Sequence, residues 1–280
     1  MKRAAAAFTI AVITTSILVP SIRTRAAEYH RIVSLAPSIT ETLYALGLGE
    51  DVAGVTRFCA WPPEAGEKPE VGGLFDPNLE AIVSLEPDLV ILLPAHQQLC
   101  LLLDELDVEH LTIPNETVSD IIETIRVVGE KCGVSERAGS LADSLESAVS
   151  SACPGGDEEK RPRVLIVVDR QYGTVPEEVY AAAAGTWYDE LLRAAGGENV
   201  LKESSPVYPI LSPESLIYLH PDIIIEIVPG ATERGLDADA LMADWEAFDM
   251  LGAVTGERLH VITGRYAAVP GPRFIRLLEE

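Results

Sequence analysis

The chain has 280 residues, 48% of them hydrophobic and 6% aromatic, with a formal net charge of −23. That length supports one large domain or two modest lobes with real cores, and the composition excludes a disordered chain. The negative field disfavours nucleic acid and anionic membrane surfaces as partners.

Lys2 and Arg3 precede an apolar run, Ala4 to Val19, closed by Pro20. A basic start before a short apolar core predicts a secretory signal peptide over residues 1–27, cleaved after Ala27, with Arg25 an imperfect fit at the −3 position. The alternative, an uncleaved anchor, has a run slightly short for a span. No cysteine lies near the cleavage point, which argues against a lipid-anchored form. Export places the chain in the periplasm or an equivalent extracytoplasmic space. Without the four basic residues of the signal, 17 basic residues face 44 acidic ones, a net charge of −27.

Arg31 to Ala36 reads as a strand, and Ser38 to Leu48 as a helix with Ser38 as cap and Glu41 completing a capping box. Asp88 to Leu93 is a buried strand closed by Pro94. Gln97 to Leu106 reads as helix, His110 to Ile113 as strand and Thr117 to Lys131 as helix. A long helical segment, about Ser135 to Ala152, is followed by the polar breaker Cys153-Pro-Gly-Gly-Asp-Glu-Glu-Lys-Arg-Pro. The alternation resumes at Arg163 to Val168. Strand and helix in turn predict an α/β fold with parallel-type sheets covered by helices. The expected organisation is an N-terminal lobe over 28–133, a linker helix over 134–153 and a C-terminal lobe over 161–280.

An internal repeat sharpens this. Glu80-Ala-Ile-Val-Ser-Leu-Glu-Pro-Asp-Leu-Val-Ile aligns without a gap on Glu214-Ser-Leu-Ile-Tyr-Leu-His-Pro-Asp-Ile-Ile-Ile. Gly49-Glu50-Asp51-Val52 likewise matches Gly197-Glu198-Asn199-Val200. Two similar lobes follow. Pro87 and Pro221 stop a helix. Glu80 and Glu214 sit in first turns, where the helix dipole favours a carboxylate. Their symmetric recurrence also makes a two-point electrostatic dock.

No Walker A loop, GxSxG or HExxH occurs, and Gly72-Gly73 and Gly196-Gly197 lack the context of dinucleotide binding. No metal-ligand spacing is formed by His30, His96, His110, His220 or His260. His96 alone follows a strand end, where open α/β sheets put ligands. Phe58, Trp61 and Phe75 in the first half, and Tyr180, Trp187, Tyr208 and Tyr266 in the second, fall in predicted loops or helix starts. Aromatics there can line a cleft for a bulky ligand, or cap the core.

The run Arg31-Ile-Val-Ser-Leu-Ala-Pro-Ser-Ile-Thr-Glu, then Pro62-Pro63, Val71-Gly-Gly-Leu-Phe-Asp-Pro-Asn-Leu-Glu80 and Pro87-Asp-Leu-Val-Ile, resembles the iron-siderophore and cobalamin class of periplasmic binding proteins. Gly196-Gly197-Glu198-Asn199 and Ser212-Pro213-Glu214 continue the likeness, which is nearest to the cobalamin binders. The resemblance implies two α/β lobes joined by a single rigid helix, with ligand between them and no catalysis. It matches Phe58, Tyr180 and Tyr208 to positions of aromatic ligand contacts; with the loop aromatics Trp61, Phe75, Trp187 and Tyr266, and with Ser38 and Leu74, these make up the expected ligand-contact set. Leu74 stands where an aromatic is expected, and Gly264-Arg265-Tyr266 and Val269 replace a more acidic stretch and an arginine. The final helix stops early. Glu80 and Glu214 match the family's docking glutamates.

The implied partners are an importer's permease dimer with its ATPase and a small-molecule ligand, the chain itself being monomeric. A cobalamin-type corrinoid is the expected ligand. A ferric siderophore is the alternative, with Arg57, Arg170, Arg265 and Arg273 as candidate cations. Haem is another, with Tyr180 or His96 as axial ligand. No resident cofactor or metal is expected. A further alternative, an exported hydrolase using Glu80 and Glu214 as paired acids, is disfavoured because they fall in different lobes. Export permits disulfides. Cys59 and Cys100, both near the cleft end of the first lobe, are the expected pair, and buried free thiols are the alternative.

Overall fold

The computed structural model describes residues 29–152, 161–202 and 205–280. The expected signal peptide, its cleavage point and Cys153 lie outside the described residues. Among those described, no helix is long and apolar enough to cross a membrane.

The first lobe runs β1 (Ile32–Ser34), α1 (Pro37–Ala45), β2 (Val52–Val55), α2 (Leu79–Ser84), β3 (Leu89–Leu92), α3 (Gln97–Glu105), β4 (His110–Thr112) and α4 (Val118–Lys131). Its four strands are all parallel, in the order β2-β1-β3-β4. Alternate strand residues point to opposite faces. Val33, Leu35, Val90 and Leu92 pack with Ile82, Leu99 and Leu103 on one side. Ile32, Leu89 and Ile91 pack with Ile39, Leu43, Ile121, Ile125 and Val128 on the other. Burial on both faces explains why these strands read as unbroken apolar runs.

α5 (Ser135–Ala152) then leads to the second lobe. It lies along α4, and the approach is close: a Cβ on Gly129 would sit 2.1 Å from the Cβ of Ala138. The second lobe comprises β5 (Arg163–Arg170), β6 (Val179–Ala181), α6 (Trp187–Ala194), β7 (Glu198–Asn199), β8 (Ile210–Leu211), α7 (Pro213–Leu219), β9 (Ile223–Ile227), α8 (Ala238–Ala243), α9 (Gly252–Thr255), β10 (Leu259–Ile262) and α10 (Ile275–Glu279). Its sheet has the order β10-β9-β5-β6-β8, with β7 beside β5. Here the expectation of a parallel-type sheet needs correction. β10, β9 and β5 are parallel, but β6 runs antiparallel to both β5 and β8, so the sheet is mixed. β6 follows β5 by a short connection, too short for the crossover a parallel neighbour requires.

The repeat is realised atom by atom. α2 starts at Asn78 and α7 at Ser212, each side chain accepting a backbone N–H of the first turn. Each helix stops at a residue with positive φ, Glu86 at 46° and His220 at 44°. Asp88 and Asp222 follow. The Asp88 carboxylate accepts the backbone N–H groups of His30 and Arg31, and that of Asp222 accepts the N–H of Arg163. In return the Asp88 and Asp222 N–H groups donate to the carbonyls of Arg31 and Arg163. The Arg31 and Arg163 guanidiniums donate to the last carbonyls of α2 and α7. Each lobe therefore bolts the start of its first strand to the end of its Glu-bearing helix, answering carbonyls the helix leaves unpaired.

Two expectations fail locally. Ser38 does not cap α1: Pro37 takes the first turn, Ala36 is the cap residue without a side-chain bond, and Ser38 is buried. Glu41 closes no capping box; it is 5% exposed and pairs with Arg273. Cys59 and Cys100 form no disulfide. Both are free thiols, with Cys59 buried between the hydroxyls of Thr40 and Thr56 and Cys100 beside Thr112.

Candidate ligand-binding site

The loops at the carboxyl ends of β2 and β3 build the rim of the first lobe. After β2 the chain turns through Arg57 to Trp61, then returns through Gly72 to Pro77 before α2. Arg57 holds these turns together. Its backbone N–H donates to the Gly72 carbonyl, and its guanidinium grips the Asp76 carboxylate at 3.1 and 2.7 Å. That pairing holds the Asp76 carboxyl below its ordinary range. Gly72, at φ 99°, supplies the left-handed backbone; a Cβ there would meet the Asp76 carbonyl at 2.6 Å. Thus anchored, the loops present Phe58 (57% exposed), Trp61 (41%) and Phe75 (86%).

His96 completes this rim without offering a ligand atom. Its Nδ1 accepts the Leu93 N–H at 3.1 Å, and its Nε2 is 2.6 Å from the Leu74 carbonyl. Both ring nitrogens are used and the residue is 5% exposed. In this arrangement neither ring nitrogen of His96 is free to serve as an axial ligand. The ring instead fastens Leu74, whose side chain packs against the apolar core while Phe75 takes the outward position.

The second rim is built on the mixed edge of its sheet. On β6 the flanking Val179 and Ala181 turn into the core, so Tyr180 turns out, paired across strands with Ile210 of β8. Tyr180, Tyr208, Val207, Ile210 and Val175 are all exposed. A polar hollow of about 700 Å³ beside Tyr180 carries Asp169, Glu177 and Glu178. Burial raises the Tyr208 hydroxyl above its ordinary range, and the charge of Glu116 in the first lobe adds to it.

Besides Leu74, three sequence-predicted contacts are not presented at a rim. Ser38 lies under Gly271, where a Cβ would come within 3.3 Å of its Cα. Trp187 is 3% exposed; it starts α6, stacks on Tyr188 at 4.1 Å and belongs to the core shared by both lobes. Tyr266 is half-buried and bonds Glu280, which with burial pushes its hydroxyl up to about 12.

None of the four candidate cations is free. Arg57 is held by Asp76 and Glu70, Arg265 by Glu233, and Arg273 by Glu41. Arg170 is fully buried between Glu226 and Asp244, both at 2.7 Å. Sequence spacing could not reveal these partners, which lie 13 to 232 residues away. Among the described residues no group of three or more His, Cys, Asp or Glu could hold a metal.

Glu80 and Glu214 are both exposed, on the equivalent helices α2 and α7 of different lobes. Ser212 and the local backbone hold the Glu214 carboxyl below its ordinary range, so it stays charged.

The family described as periplasmic binding protein matches residues 32–263. The chain belongs to the periplasmic binding protein family. That family is one of substrate-binding proteins of transporters, not of enzymes. This periplasmic binding protein is 27% identical to an uncharacterized ABC transporter substrate-binding lipoprotein of Bacillus subtilis, over 90% of this chain and 79% of the relative. It is 25% identical to the vitamin B12-binding protein of Vibrio parahaemolyticus, over 90% of this chain and 87% of that one. The solved periplasmic heme-binding protein RhuT of Roseiflexus sp. RS-1 superposes with a TM-score of 0.72 at 26% identity, covering 89% of this chain and 95% of its own.

Proposed function

We propose that this chain is the extracytoplasmic binding component of an ABC importer and carries a cobalamin-type corrinoid between its lobes. One observation carries the cargo assignment. The rims present Phe58, Trp61, Phe75, Tyr180 and Tyr208, while every candidate cleft arginine is already neutralised by a carboxylate. Such walls suit a large ligand that offers apolar faces and little net negative charge. Haem brings propionates, and catecholate or carboxylate siderophores carry net negative charge, which Asp169, Glu177 and Glu178 would repel. The relatives named as vitamin B12-binding proteins support the same reading.

The chain is exported by its N-terminal signal, binds without chemistry, and docks on the permease dimer through Glu80 and Glu214, with an ATPase driving release. Calorimetric titration of residues 28–280 with cyanocobalamin should give saturable heat at micromolar concentrations. Absence of heat there rejects the corrinoid. Haem is the second reading, favoured by the exposed Tyr180 and the likeness to RhuT. A Soret shift on adding haemin that is lost in Tyr180→Phe would establish it instead.

A further inference from the structure

The last segment of the chain does not stay with its own lobe. After Tyr266, residues Gly271 to Phe274 return to the start of α1 in the first lobe. Gly271 closes on Ser38, and Phe274, with no exposed surface, enters the core that α1, α4 and α6 share. Between them, Arg273 forms a bidentate pair with Glu41 of α1, Nε to Oε2 at 2.8 Å and a terminal nitrogen to Oε1 at 2.5 Å. Side-chain exposures are 16% and 3%. On its other side the guanidinium lies 4.6 Å from the ring centroid of Trp61, which keeps 41% of its surface exposed on the first rim.

A buried ion pair of this kind is a poor source of stability, because desolvation consumes most of the attraction. Its planar, two-point geometry does fix orientation. One face of Trp61 is covered by a cation whose position is set by Glu41. We propose that Arg273 is a positioning residue: clamped by Glu41, it holds the Trp61 ring as a preset wall for the ligand and ties the second lobe to the first. The role in ligand binding rests on the function proposed above; the placing of Trp61 does not.

Full-length mature chain labelled with 5-fluorotryptophan has three tryptophans, Trp61, Trp187 and Trp245, giving three fluorine resonances, with Trp61 assigned by Trp61→Phe. In Arg273→Met the Trp61 resonance should shift and broaden while the other two stay in place. Arg273→Lys keeps the charge without the two-point fork, so it should move the same resonance by less. An unmoved Trp61 signal in both variants, or equal movement of all three, overturns the proposal. Cyanocobalamin affinity should weaken about tenfold in Arg273→Met, the scale of losing an ordered aromatic wall, and be partly restored in Arg273→Lys. If the unaltered chain binds no cyanocobalamin, the corrinoid reading fails and the fluorine result still decides the clamp.

Discussion

Arg170→Leu tests how the second lobe is held together. The Arg170 side chain is wholly buried, Glu226 is 1% exposed and Asp244 is 11% exposed. The guanidinium donates to both Glu226 oxygens at 2.7 and 3.2 Å, to Asp244 at 2.7 Å, and to the carbonyls of Leu241 and Gln171 at 3.0 Å. Trp245 adds its indole N–H to Glu226 at 2.9 Å. Leucine fills much of the space but leaves two carboxylates without their cation. Breaking a buried pair from one side costs about 3–5 kcal/mol. At roughly 2–4 °C per kcal/mol for domains near this size, the melting point should fall by about 6–20 °C. Arg170→Leu with Glu226→Leu removes the more buried charge as well and should recover more than half of that loss. Circular dichroism with urea and thermal denaturation measures both. A loss below about 1 kcal/mol in the single variant would refute the reasoning, because it would place the carboxylates in water.

Other consequences can be checked separately. Burial raises the Glu41 carboxyl above its ordinary 4.5, and Arg273 offsets only part of this. The folded state then binds that proton more tightly than the unfolded chain. Its contribution to stability is therefore full below pH 4.5 and is lost as pH climbs through the raised folded value. Glu41→Gln should flatten that stretch of the stability–pH curve; an unchanged slope would contradict it. In Cys153→Ser, thiol-reactive probes at pH 8 should label Cys100 first. Burial pushes Cys132 up to about 11 and also raises Cys59. A mass two units low before reduction would show a disulfide and refute the free-thiol assignment. Glu80→Arg or Glu214→Arg should abolish uptake by a reconstituted importer while cyanocobalamin affinity stays unchanged. A joint loss of affinity would argue against docking.

The repeat was legible because its signals are local. Pro87 and Pro221, Asp88 and Asp222 mark the same helix stop, and the structure adds left-handed turns at Glu86 and His220. The continuous apolar runs identified the buried strands for the same reason. The antiparallel edge was not legible, since β6 and β8 are only three and two residues long. The rim was legible in part. Phe58, Trp61, Phe75, Tyr180 and Tyr208 are exposed, yet Trp187 is drawn inward because the first turn of α6 packs between the lobes. Ser38 is not the cap because Pro37, with no N–H to satisfy, starts the helix two residues earlier than a Ser38 cap would. The arginines pair with carboxylates 13 to 232 residues away, and His96 spans the Leu93 N–H and the distant Leu74 carbonyl, contacts that no spacing rule records.

The bolt between Arg31 and α2, and its counterpart between Arg163 and α7, also defines a load path. Force applied at the outer end of either helix enters the first strand of that lobe at its opening residue rather than dissipating in a loop. β1 is only three residues long and continues through Leu35 and Ala36 into α1. A pull on α2 is thus carried across the sheet to the segment that seats Glu41, about 10 Å of stiff strand away. The second lobe starts from the same bolt at Arg163, but its first strand is eight residues long and leads into the antiparallel edge, so its path is longer and ends beside Tyr180.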